Sequence, residues 1–211
     1  TPGLKIDSTT FGTYSGYPSA APIKKFTLEN GTLTAFSSAA VDALEELHFG
    51  DGVTKIPACS YGKSQGSNWV WVGAKNLKTV TLGKNITSLP DNAFMSSKIT
   101  EISIPDSVTS IGNNAFNGCE SLETITIGKT SQLQSIGNGV FGSTKIKTIY
   151  IPANVISIGQ QTFFNLATLT TVDMSDVESE TVNIGAWCFG YDNNVEAANR
   201  PLRTFYVSNA G

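Results

Sequence analysis

The sequence is short of most of the groups that do chemistry. It has one histidine, three cysteines and charged residues at only 15% of its 211 positions, with a net charge of -3. So weak and slightly acidic a balance offers no basic surface for phosphates and argues against a nucleic-acid partner. No apolar run approaches the roughly 18 residues that a membrane-spanning helix needs, so no membrane span is expected in this chain. Cys59, Cys119 and Cys188 are widely spaced and odd in number, which fits neither a disulfide framework nor paired zinc knuckles. They read as small buried apolar side chains.

Catalytic chemistry is equally thin. Any histidine-dependent triad or histidine-rich metal site must use His48, in "LHFG". Glu46 shares its predicted face two residues back, but no nucleophile in a special turn accompanies the pair, and His48 reads as an exposed strand histidine. The run "GNGVFG" at 137–142 is a literal G-x-G-x-x-G without the strand, long helix and downstream acid of a dinucleotide site. The acidic runs "SDVESE" (175–180) and "YDNNVEAAN" (191–199) lack EF-hand spacing and read as loops. Asn30-Gly31-Thr32 and Asn85-Ile86-Thr87 are glycosylation sequons, relevant only in a eukaryotic secretory source. No catalytic residue, metal or cofactor is expected. The sequence opens Thr1-Pro2 without an initiator Met, and an upstream segment such as a signal peptide is expected.

What is present is repetition. The pattern apolar-x-x-apolar-x-apolar starts at Ile23, Leu44, Leu77, Ile99, Leu122, Ile146, Leu169 and Leu202, at intervals of 21, 33, 22, 23, 24, 23 and 33 residues. Between these starts lies a second pattern, an apolar residue with a bulky one five positions later: Phe36/Val41, Ile56/Tyr61, Leu89/Phe94, Ile111/Phe116, Ile136/Phe141, Ile158/Phe163 and Ile184/Phe189. Gly112, Gly137, Gly159 and Gly185 share one column, at a bend that a side chain would obstruct. Each unit is one short strand and a return, too small to bury its own apolar face; stacked units bury it against each other.

The run "ITEISIPDSVTSIGNNAFNGCESLETITI" (99–127) resembles the BspA-like leucine-rich repeat, and the resemblance extends over about residues 23–207. It implies an α/β leucine-rich solenoid: a parallel sheet with one short strand per coil and irregular or short-helical returns on the opposite side. The expected organisation is an N-terminal cap over 1–22, one solenoid of about seven repeats plus a final strand over 23–207, and a tail at 208–211. The resemblance also implies an extracellular or cell-surface protein of a host-associated bacterium: a non-catalytic adhesion module binding a host or neighbouring-cell protein or glycan. The alternative is a passive spacer or assembly element in a larger surface protein.

Two places would carry binding. Both 33-residue intervals owe their length to insertions after the bulky residue, "GKSQGSNWVWVG" in the first and "GYDNNVEAANRP" in the second. Trp69 and Trp71 in the first would be flat anchors for a sugar ring or a partner's pocket, or would fold back as a lid over the neighbouring coils. The other place is the outward face of the strands, where Thr dominates and His48, Tyr150 and Tyr206 stand out. That face would bind a polymer, or would be simply what strand-forming, self-pairing threonine produces on a solvated sheet.

Overall fold

The computed structural model describes residues 23–31, 43–56, 74–177, 182–190 and 204–207. Its strands are β1 (Lys25–Asn30), β2 (Glu46–Gly52), β3 (Thr79–Thr81), β4 (Ser88–Leu89), β5 (Glu101–Ile104), β6 (Ser110–Ile111), β7 (Thr124–Ile127), β8 (Ser135–Ile136), β9 (Thr148–Tyr150), β10 (Ser157–Ile158), β11 (Thr171–Met174), β12 (Asn183–Ile184) and β13 (Thr204–Val207). The longer strands form the main sheet of a parallel solenoid, in the register the repeat predicts: Ile102 pairs with Ile125, Val172 with Ile149 and Leu47 with Val80.

Two features depart from the expected coil. The described residues contain no helix, and each of the five coils from Ser88 to Ile184 carries a second strand of two residues. These short strands form an unbroken five-stranded parallel sheet in the order β12-β10-β8-β6-β4. The main sheet, in contrast, is divided into three hydrogen-bonded segments, β1-β2-β3, β5-β7 and β9-β11-β13. The second sheet runs unbroken past both divisions, and single sheet-side bonds cross them, from Lys98 to Leu77 and from Lys145 to Leu122, both at 2.8 Å.

The turns are bonded as regularly as the strands. Phe94, Phe116, Phe141 and Phe163 donate their N–H groups forward to the carbonyls of Ala115, Val140, Thr162 and Cys188, at 2.8–3.0 Å. On the sheet side the bonds run backward, as from Gly137 to Ile111 and from Lys145 to Leu122, both at 2.8 Å. Each coil thus satisfies backbone groups of both neighbours, which lets an irregular return be buried. The turn uses a left-handed residue in a fixed column, Asn92, Asn114, Gly139, Gln161 and Trp187, with φ between 54° and 60°.

The core runs through the stack as ladders of like residues. Phe94, Phe116, Phe141, Phe163 and Phe189 stack ring on ring at 5.1–5.8 Å, and the first four are buried. Ile99, Leu122, Ile146 and Leu169 form a parallel apolar row, each at most 1% exposed. A buried side chain of this size contributes about 1.5–3 kcal/mol. Ile184 departs from its column at 46% exposure, because β12 is the edge strand of the second sheet. The glycine column is explained by close approach: a Cβ on Gly137 would lie 2.7 Å from the backbone nitrogen of Asn113.

The N-terminal segment 1–22, the tail 208–211, Cys59, the pair Phe36/Val41, Tyr61, all of the first insertion and most of the second lie outside the described residues.

Candidate recognition surface

The alternation of each main strand sends two residues per coil into the core and leaves the intervening ones outside. In β5 and β7 the pattern is strict, with Glu101, Ser103, Thr124 and Thr126 exposed and the isoleucines between them buried. This outward face changes character along the solenoid.

At the first coils it is charged and internally paired. Glu45 bridges Lys24 at 2.9 Å and Lys78 at 2.8 Å, and those hydrogen bonds, from Lys78 first, hold its carboxyl down at about 2. Lys25 meets Glu46 at 3.0 Å and Lys84 meets Asp51 at 2.9 Å. His48 sits between Thr81 and Glu46, with its Nδ1 2.9 Å from the threonine hydroxyl and its Nε2 3.4 Å from the carboxylate.

A hydroxyl, an imidazole and a carboxylate in line are the parts of a nucleophilic triad, but here the neighbouring groups are engaged elsewhere. Thr81 closes a flat strand, the neighbouring turn N–H of Lys84 is given to Asp51, and Glu46 is shared with Lys25.

At the middle of the face, where β3 and β5 are neighbours without a shared ladder, a cleft of about 410 Å³ opens. Thr79, Thr81, Glu101, Ser103, Thr124 and Thr126 line it with Lys78, a wall of hydroxyls with one carboxylate and one ammonium. Toward the last coils the face turns aromatic and acidic. Tyr150 is half-buried and donates to Asp176 at 2.9 Å, and Lys129 reaches the same carboxylate oxygen at 2.8 Å while lying 5.9 Å from the Tyr150 ring centre. Desolvation first, then Asp176, pushes the Tyr150 phenol up to about 12. Tyr206 is 54% exposed.

The second sheet bears a shallow groove of about 520 Å³, floored by the glycine column and edged by Ser110, Ser135 and Ser157. Its Asp91, Asn113 and Asn138 side chains are already committed to stacking. The Oδ1 atoms of Asp91, Asn113 and Asn138 accept the backbone N–H of Asn113, Asn138 and Gln160 at 2.7–2.8 Å, one coil after another.

The structure thus spreads His48, Tyr150 and Tyr206 along one face without bringing them together, and Trp69 and Trp71 lie outside the described residues. One exposed aromatic is absent from the sequence reading. Trp187 is 65% exposed and left-handed at φ 59°, a backbone region uncommon for bulky residues. The signal was available: Trp187 occupies the column that is Asn92, Asn114, Gly139 and Gln161 in the preceding coils.

The family model of the BspA type leucine rich repeat region matches in six copies, over residues 32–170 and 68–196. The chain belongs to the BspA-type leucine-rich repeat family. Among solved structures, the leucine-rich repeat protein of T. pallidum (TpLRR) is similar at a TM-score of 0.61 and 16% identity, over 88% of this chain and 86% of that one. A leucine rich cell surface protein of Faecalibacterium prausnitzii A2-165 is 23% identical over 76% of this chain and 50% of that one, at a TM-score of 0.49. The first likeness shows the fold. No curated protein matches the sequence. In this BspA-type repeat, the apolar columns, the glycine column and the Asp/Asn ladder all belong to stacking, which leaves the outward strand positions as surface.

Proposed function

We propose that the chain is a non-catalytic recognition module of a secreted or cell-surface protein, binding a host or neighbouring-cell protein or glycan through the outward face of its main sheet. The observation that carries this reading is the hydroxyl-lined cleft between β3 and β5. Outward side chains of the sheet border this cavity, and Thr79, Thr81, Glu101, Ser103, Thr124 and Thr126 offer both donors and acceptors there. Such a surface suits polyhydroxylated or peptide ligands, whose groups need paired hydrogen bonds. Trp69 and Trp71 of the first insertion, with His48, Tyr150 and Tyr206, are the proposed flanking contacts.

The test is binding of the purified chain to a panel of extracellular-matrix proteins and glycans. Thr126→Arg alters the face, Ser135→Arg alters the opposite groove, and a double Trp69→Ala/Trp71→Ala variant alters the insertion. Saturable binding that Thr126→Arg abolishes and Ser135→Arg leaves intact supports recognition by the main-sheet face. Binding lost only in the tryptophan variant moves the site to the insertion. No binding by any folded variant across the panel favours the spacer.

A further inference from the structure

The last three strands of the main sheet set one row of side chains side by side. In the β9-β11-β13 register, Tyr150 pairs with Asp173 and Asp173 pairs with Tyr206. With neighbouring strands about 4.8 Å apart, the carboxylate stands between two tyrosines whose backbones are about 10 Å apart.

Half of this row already holds a cation. Lys129 lies over the Tyr150 ring and ends on Asp176, which also takes the Tyr150 hydroxyl. Aromatic face, carboxylate and ammonium together form a unit in which the ring quadrupole and the full charge act on the same cation. One strand further on, the aromatic and the carboxylate recur as Tyr206 and Asp173. Here Oδ1 of Asp173 accepts the N–H of Ser175 at 3.0 Å and its hydroxyl at 2.6 Å, which fixes the direction of the carboxyl group. No lysine or arginine among the described residues forms an ion pair with Asp173. Among the described residues, two carboxylates, Asp173 and Asp176, thus face one lysine beside an exposed ring.

We infer that Tyr206 and Asp173 form a subsite for the basic side chain of a partner protein, seated on the Tyr206 ring with one N–H donated to Asp173. An arginine fits best, because a planar guanidinium stacks on a phenol and donates at its edge in the same pose. A divalent metal fits poorly, since it would need more oxygens than one capped carboxylate supplies. The subsite rests on the reading of the main-sheet face as a recognition surface and gives that surface one partner chemistry.

The experiment is an NMR titration of the isotope-labelled chain with acetyl-Gly-Arg-Gly-amide and with its neutral citrulline counterpart. The expected result is saturable movement of the Asp173, Ser175 and Tyr206 amide signals with the arginine peptide only. Asp173→Asn and Tyr206→Leu should each weaken it about threefold. Tyr206→Leu changes an exposed outward position, so it tests the subsite independently of any effect of Asp173→Asn on the Ser175 turn. Equal response to both peptides, no response in the folded wild type, or unchanged affinity in both variants overturns the subsite. The two readings fail separately. A panel protein whose binding is lost with Thr126→Arg but unchanged in both Asp173→Asn and Tyr206→Leu overturns this subsite alone. Arginine-peptide binding without any panel partner sustains the subsite and counts against the matrix-protein reading.

Discussion

Truncating the centre of the phenylalanine stack gives the sharpest test of how the coils hold together. Phe116 is fully buried, with Phe94 at 5.7 Å on one side and Phe141 at 5.8 Å on the other. Phe116→Ala removes the ring from between two fixed walls. The walls cannot close, because the turn backbones are tied coil to coil by the Phe94 bond to Ala115 and the Phe116 bond to Val140. Buried Phe→Ala changes cost about 3–5 kcal/mol, less where the site can collapse, so a cost of about 4 kcal/mol is expected. Phe189 ends the described stack half-buried, 5.1 Å from Phe163, and its replacement by Ala should cost about half as much. Urea unfolding followed by far-UV circular dichroism measures both. In a nearest-neighbour array, weakening the middle also loosens the coupling between the halves, so the Phe116→Ala transition should broaden. A cost under about 1.5 kcal/mol, or one no larger than for Phe189→Ala, would refute the picture of a rigid stack.

Three further outcomes follow from other features. Gly137→Ala puts a methyl 2.7 Å and 2.8 Å from the backbone of Asn113 and Gly112 and should cost about 1–3 kcal/mol as the coils separate; a neutral effect in the same urea assay would contradict the close approach. Burial pushes the thiols of Cys119 and Cys188 up to about 11 and about 12, so both should react with a thiol reagent only as fast as the protein unfolds; prompt native labelling of either would contradict their burial. Glu45, held at about 2 instead of the ordinary 4.5, stabilises the Lys24–Glu45–Lys78 ladder above the ordinary carboxylate range and loses that contribution as pH falls from about 4.5 to about 2. A carboxyl NMR titration should therefore find its midpoint near the lower value, and a midpoint at 4.5 would contradict the bridge.

Columns of chemically uniform residues were legible from the sequence. The isoleucines and leucines of the strand pattern and the five-residue step to phenylalanine gave both sheet register and core, because apolar burial tolerates few residue types at a fixed position. The outward positions, Glu101 and Thr124 among them, followed from alternation alone. The second strand of each coil was hidden because two residues, such as Ser135 and Ile136, leave no period to detect. The left-handed column was hidden for the opposite reason: Asn114, Gly139, Gln161 and Trp187 share a backbone conformation without sharing a side chain. The association of Tyr150 with Lys129 and Asp176 spans 21 and 26 residues, and only the fold brings those three together. The division of the main sheet, and with it the cleft, leaves no mark on the repeat pattern.

The forward and backward hydrogen bonds of the turns and strands bear on how such a chain changes over generations. Every coil from Ser88 to Ile184 offers its successor the same donors, acceptors and apolar ledge that it received from its predecessor. A duplicated unit of 22 to 24 residues would therefore arrive with a seat already made for it, and a deleted one would leave two surfaces that match. Length becomes a heritable variable separate from fold. Drift within the phenylalanine or amide column is constrained by the residue one coil away, so compensating changes should be sought between neighbouring units at the same column.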